Sequence, residues 1–130
     1  MNNMEIIEKN ASFKATKLAL MEGKMELGFL VYSKKQPLYV EILYLRVNPN
    51  YRRNGYGKIL VDEFFKKISE YIGEIRLYAA ANYDVNSLAS WDKSKFIPQD
   101  KLEKFYEGYG FKRINPWKNE AFPEMSMFKS

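Results

Sequence analysis

The chain has 130 residues, 21 Lys and Arg against 16 Asp and Glu for a formal charge of +5, and neither Cys nor His. Those two zeros exclude a disulfide framework, thiolate chemistry and the commonest metal ligand and general base, so catalysis would fall to carboxylates, tyrosines, lysines or backbone, and no metal is expected. Apolar residues at 46% and aromatics at 16% support one folded domain over residues 1–130. No apolar run reaches membrane-spanning length and no basic-then-apolar leader opens the sequence, so the expectation is a cytoplasmic protein without a membrane partner.

"ASFKATKLAL" (11–20) and "MELGFLVYS" (25–33) flank a turn containing Gly23 and predict an antiparallel hairpin. "MEIIE" (4–8) reads either as a further short strand or as the start of the first hairpin arm. "LYVEILYLRV" (38–47), rich in β-branched and aromatic residues, predicts the third strand of a meander. After Asn48-Pro49 the period changes: Leu60, Phe64, Ile68 and Tyr71 recur at helical spacing and predict a helix over 56–72. Asp62–Lys66 and Glu63–Lys67 would pair along that helix, with Gly73 as its C-terminal cap. The strand "EIRLYAA" (74–80) follows at once, and strand, helix and strand in succession predict a parallel crossover.

Residues 82–100 are polar with scattered apolar anchors and carry no clear period. A short helix is predicted from about Gln99 to Tyr106 with Leu102, Phe105 and Tyr106 inward, then closing strands at "GFKRI" (110–114) and "EMSMF" (124–128) around a loop holding Pro116, Trp117 and Pro123. The fold class is α+β: a mixed, mostly antiparallel central sheet with one βαβ crossover and two main helices.

Chemistry concentrates in "RVNPNYRRNGYGKIL" (46–60), which joins the third strand to the first helix. A helix start leaves its first N–H groups unpaired at the positive end of the dipole. Gly55 and Gly57 let backbone approach a bulky anion, and Arg52, Arg53 and Lys58 add charge, so the turn suits a phosphate or pyrophosphate. It lacks the Gly-Lys-Ser/Thr ending of a P-loop and does not match G-x-G-x-x-G. The charge favours an anionic partner, but no block of like charges favours nucleic acid.

"VNPNYRRNGYG" (47–57) resembles the V-x-P-x-x-R-x-x-G-x-G signature of the GNAT superfamily of acyl-CoA N-acyltransferases, and "KFYEGYGF" (104–111) resembles that family's aromatic-Tyr-x-x-x-Gly-Phe segment. The resemblance covers residues 11–128 and implies a compact member without the usual first helix pair. It implies that acetyl-CoA is the cosubstrate, with Arg52, Arg53, Asn54, Gly55, Tyr56, Gly57 and Lys58 at its pyrophosphate and Leu45, Arg46 and Val47 at its pantetheine arm. In this family the strands at 38–47 and 74–80 splay, leaving room for the cofactor. Where the family often carries an Asn before the Tyr this chain has Gln99, while Asn82 ends the preceding strand; either is a candidate cofactor contact.

The implied reaction is direct attack by an amine on the thioester, with Tyr106 as the acid for the departing thiolate. Tyr109 and Phe105 do not fall on the acid position and read as packing residues. Glu41 is the base candidate: strict alternation puts it with Leu43, Leu45 and Val47 on an otherwise apolar face, where a desolvated carboxylate is suited to accept an amine proton. Its position also resembles the catalytic Glu of histone-type members, and a water chain is the alternative. The acceptor would be a protein lysine, an N-terminus or a small amine, the loop 115–122 with Trp117 and Glu120 would border it, and a homodimer partner would supply a missing wall. Two other readings are a non-catalytic CoA-binding module of this fold and a binder of single-stranded nucleic acid using an aromatic-rich sheet.

Overall fold

In the computed structural model the described residues are 3–12, 14–35, 38–51, 54–80 and 98–130. The amino-terminal part is a four-stranded antiparallel meander of β1 (Met4–Ser12), β2 (Ala15–Glu22), β3 (Met25–Lys35) and β4 (Tyr39–Val47). The "MEIIE" stretch is therefore the start of a strand of its own. Ala11 and Ser12 finish that strand, Lys14 turns the chain at φ 63°, and β2 starts only at Ala15, so the predicted strand over 11–20 is divided between two. Gly23 makes the next turn at φ 61° as expected.

Helix α1 (Tyr56–Lys67) starts where predicted and stops five residues early. Ile68 is its C-cap, its N–H donating to the Phe64 carbonyl at 3.1 Å, and Gly73 instead opens β5 (Gly73–Tyr78). The period outlasts the helix because Ile68 and Tyr71 still face the core while the backbone between them turns, and Lys129 Nζ satisfies the carbonyls of Ser69 and Tyr71 at 3.0 and 2.9 Å. The expected ion pairs are also rearranged: Asp62 takes Lys58 at 2.6 Å, and Lys67 reaches across to Glu8 on β1 at 3.2 Å. Asp62 thus takes the lysine one turn before it instead of the one after it, and Lys67 takes a partner on a strand outside the helix, which spacing along the helix does not register.

Helix α2 (Gln99–Glu107), β6 (Lys112–Arg113) and β7 (Glu124–Lys129) complete the described chain. The seven strands lie in the order β1-β2-β3-β4-β5-β7-β6, with β4 and β5 the parallel pair and every other neighbour antiparallel. Both helices cover one face. Tyr32 meets Phe64 edge-on at 5.1 Å between centroids, Leu18, Leu30, Ile42 and Leu60 pack around them, and Tyr109 stacks on Phe65 at 5.6 Å to join α2 to α1. Burying Phe64 completely is worth about 2–3 kcal/mol.

No helix lies between β1 and β2, and none packs on the opposite sheet face among the described residues. That face carries Phe29, Tyr39, Tyr44, Tyr78 and Phe128, with Lys17 over the Phe29 ring and Arg76 over the Tyr39 ring, each at 4.6 Å.

Candidate active site

Strands β4 and β5 stay together for only three pairs, Val40–Ile75, Glu41–Arg76 and Ile42–Leu77. Beyond Ile42 no strand among the described residues pairs with the β5-facing edge of β4, while β5 turns toward the other side, where the Ala79 N–H donates to the Pro123 carbonyl at 2.9 Å. The result is a split in the sheet at the C-terminal ends of two parallel strands, which is where open α/β sheets bind ligands.

A bulge prepares this split. Val31 pairs with Tyr44 and Tyr32 with Ile42, so Leu43 is an extra residue on β4. The extra residue reverses the alternation: Leu45 pairs with Leu30 and shares the helix-covered face with Ile42, while Tyr44 and Arg46 join Glu41 on the open face. The expected grouping of Glu41 with Leu43, Leu45 and Val47 is therefore incorrect. Glu41 is partly exposed between Ser33 of β3 and Arg76 of β5, a polar setting in place of the apolar one expected.

At the mouth of the split, the chain from β4 is fastened by local hydrogen bonds. The Asn48 N–H donates to the Leu27 carbonyl at 2.8 Å, the Asn50 N–H to Asn48 Oδ1 at 3.1 Å, and Asn54 Nδ2 to the Tyr51 carbonyl at 3.0 Å. Gly28 permits the close approach of β3 to this corner, since a Cβ there would stand 2.6 Å from the Arg46 carbonyl oxygen. Gly55 is the N-cap of α1 at φ 79°, with open space where a side chain would project, and Gly57 lies against Val47 and Phe105. No side chain caps α1 and no acid stands in its first turn, so the N–H groups of Tyr56, Gly57 and Lys58 begin the helix without a capping carboxylate or hydroxyl. An anion fits such a place, and the glycine leaves the room for one. Lys58 adds its charge beside this turn while paired with Asp62, whose carboxyl its ammonium holds below the usual range. Arg52, Arg53 and Asn82 lie outside the described residues.

Helix α2 brings Tyr106 into the core at 4% exposure, edge-on to Phe105 at 5.4 Å and to Phe111 at 5.9 Å, in one buried cluster with Leu77 and Ala79 at the end of β5. Polar side chains also fasten that helix, through contacts that the sequence does not mark. Gln99 Nε2 donates to the Ala79 carbonyl at 2.6 Å and to Glu103 Oε2 at 3.1 Å, and Glu103 takes Arg113 Nε at 2.7 Å, which lowers the Glu103 carboxyl below its ordinary value. Tyr109 Oη donates to Asp62 Oδ1 at 2.9 Å, and burial first, then Asp62, pushes its phenol well above the ordinary range. The amide nitrogen of Gln99 thus fastens α2 to β5, while Tyr109 and Phe105 are packing residues as expected. Trp117 is 75% exposed.

Residues 7–96 match the Acetyltransferase (GNAT) family, a span that contains the split and the glycine turn and ends before α2. No curated protein matches the sequence. Among solved structures, Ard1 from Thermoplasma volcanium aligns over 88% of this chain and 70% of its own at 21% identity and a TM-score of 0.62. The Paia N-acetyltransferase from Thermoplasma acidophilum, solved with coenzyme A, aligns over 89% and 62% at 21% identity and a TM-score of 0.61. An aminoglycoside 6'-N-acetyltransferase, also complexed with coenzyme A, aligns over 88% and 73% at 19% identity and a TM-score of 0.60. At these identities the likeness is one of fold, and the chain spans 62–73% of the length of these proteins. A seven-stranded mixed sheet parted at its one parallel pair, with the family match running through that parting, places the chain in the Acetyltransferase (GNAT) family.

Proposed function

We propose that this chain moves an acetyl group from acetyl-CoA to a primary amine. The observation that carries the reading is the split between β4 and β5 with the uncapped, glycine-fronted start of α1 at its mouth. Acetyl-CoA supplies an acetyl group activated as a thioester. The N–H groups of Tyr56, Gly57 and Lys58 bind its pyrophosphate, Arg52, Arg53 and Asn54 flank it, and its arm runs along the end of β4 at Leu45, Arg46 and Val47. Tyr106 gives a proton to the departing sulfur, and its burial keeps water from the same place. Glu41, on the open face beside the split, accepts the proton that the amine must shed before it attacks.

The acceptor enters from the open face, where Tyr44 and Tyr78 are more than half exposed on the two strands that part. No helix among the described residues roofs that approach, which suits a protein side chain or N-terminus. The nucleic-acid reading finds less support, because Lys17 and Arg76 of the chain itself already occupy the rings of Phe29 and Tyr39.

The test is calorimetric titration with acetyl-CoA of the wild type, Gly55→Asn and Gly55→Asp. Both substitutions tolerate the left-handed backbone at this residue, so their difference is the charge set before the helix. Binding by the wild type that Gly55→Asp weakens much more than Gly55→Asn supports the assignment. A folded wild type that binds no acetyl-CoA rejects it.

A further inference from the structure

We propose that the outer edge of β1 is a self-association surface on which two copies pair antiparallel, with Ile7 of each copy on the two-fold axis. β1 is the first strand of the sheet, and no strand among the described residues pairs with its outer side. Such an edge offers a row of backbone donors and acceptors to any strand of matching shape. Its regular part is Met4–Asn10, seven residues in unbroken register with β2 before the ladder shifts between Asn10 and Ser12. The middle of that stretch is Ile7.

Charge selects the same centre independently. A continuous antiparallel sheet keeps each face on one side, so the copies pair only in registers centred on a residue. Centred on Glu8, two glutamates oppose each other. Centred on Ile6, Glu5 faces Ile7, and Lys9 falls at the end of the ladder. Centred on Ile7, Glu5 faces Lys9 of the second copy, Lys9 faces its Glu5, and the two Ile7 side chains meet between these pairs. Glu5, Ile7 and Lys9 share the open face, because Ile7 pairs with Ala19, which pairs with Phe29.

Lys9 has reason to take such a partner. Across the ladder within its own chain it stands opposite Lys17, whose carboxylate is Glu26 at 3.1 Å, and among the described residues neither Glu5 nor Lys9 forms an ion pair. A second copy brings Glu5 to that lysine pair. On the other face Glu8 is already engaged by Lys67 of its own chain.

Sedimentation velocity over a concentration series into the high-micromolar range, at low salt, tests this with four proteins. An edge of this size makes a small interface, so a reversible monomer–dimer equilibrium is expected for the wild type. Glu5→Lys sets Lys against Lys9 twice, Lys9→Glu sets Glu against Glu5 twice, and each should weaken the dimer about tenfold. The double variant Glu5→Lys/Lys9→Glu restores opposite charges in the same register and should recover the wild-type constant. Both positions are exposed, and circular dichroism checks that all four proteins fold. A wild type that is monomeric throughout overturns the proposal, and so does a dimer indifferent to the single reversals or one that the double variant fails to restore. Acetyl transfer enters nowhere in this measurement, so its result stands apart from that of the cofactor titration.

Discussion

A side chain at residue 28 would need the space that the Arg46 carbonyl oxygen occupies, and backbone cannot yield as a flexible side chain can. Gly28→Ala is therefore expected to cost about 1–3 kcal/mol of stability, read from urea unfolding, because β3 must back away from the corner that β4 turns into the helix. Tyr106 calls for the opposite kind of change, one that keeps the packing and removes one oxygen. Tyr106→Phe should lower kcat by about 10²-fold with KM for acetyl-CoA little altered; an unaltered kcat would take this phenol out of the proton transfer. Glu41→Gln should lower kcat by about 10²-fold, whereas a kcat like that of the wild type would hand the proton to water. Of these residues only Tyr106 lies in one of the two motifs, 47–57 and 104–111; Glu41 was singled out by strand alternation, which the bulge overturns, and Gly28 carried no signal. Their surroundings were not readable. Gln99 shows why: its role is set by the carbonyl of Ala79, twenty residues away, and nothing local to "PQDKLEKFYEG" marks that bond.

Between elements, the contact that most directly joins the two helices is Tyr109 on Asp62. Losing it in Tyr109→Phe should cost about 1 kcal/mol near neutral pH. The pH dependence has a definite sign. A phenol whose proton is held more tightly in the folded chain stabilises the fold fully below its unfolded value of about 10, and that contribution disappears as pH rises beyond it. Melting temperatures measured across the alkaline range should fall less steeply for Tyr109→Phe than for the wild type, and parallel slopes would show that this phenol stays coupled to nothing. Element types and most boundaries were legible because strand and helix periods are strong in this sequence. The exceptions have local causes. One added residue at Leu43 exchanges the faces of β4 without altering its composition, and Ile68 and Tyr71 keep a helical period in a stretch that is turn.

For the whole molecule, the depressed carboxylates set the acid limit. Lys58 lowers Asp62, Arg76 lowers Glu74 and Arg113 lowers Glu103, so each stabilises the fold above the ordinary carboxylate range and gives up that contribution as pH falls through its lowered value. Urea midpoints should therefore decline below about pH 4, and Arg113→Met should remove part of that decline, because Glu103 then keeps only its hydrogen bond from Gln99. A midpoint independent of pH in this range would mean that these pairs add nothing measurable. The sheet order near the carboxyl terminus was not legible, because two closing strands could be added in either order. β7 takes the inner place since it is six residues long and carries the fully buried Met125, whereas β6 has two residues and serves as a margin.

The three-pair seam between β4 and β5 also divides the molecule mechanically. On one side stand four strands joined by tight turns, whose contacts are short in sequence and quick to form; on the other, β5, β7 and β6 close contacts across many residues and add later. Such a boundary separates cooperative units of different opening free energy, so amide exchange should run faster in β5 and β7 than in β2 and β3. A ligand lying along the parting touches both units at once. It would then act as a rivet, slowing exchange most in β5 and β7, the unit that opens more easily without it.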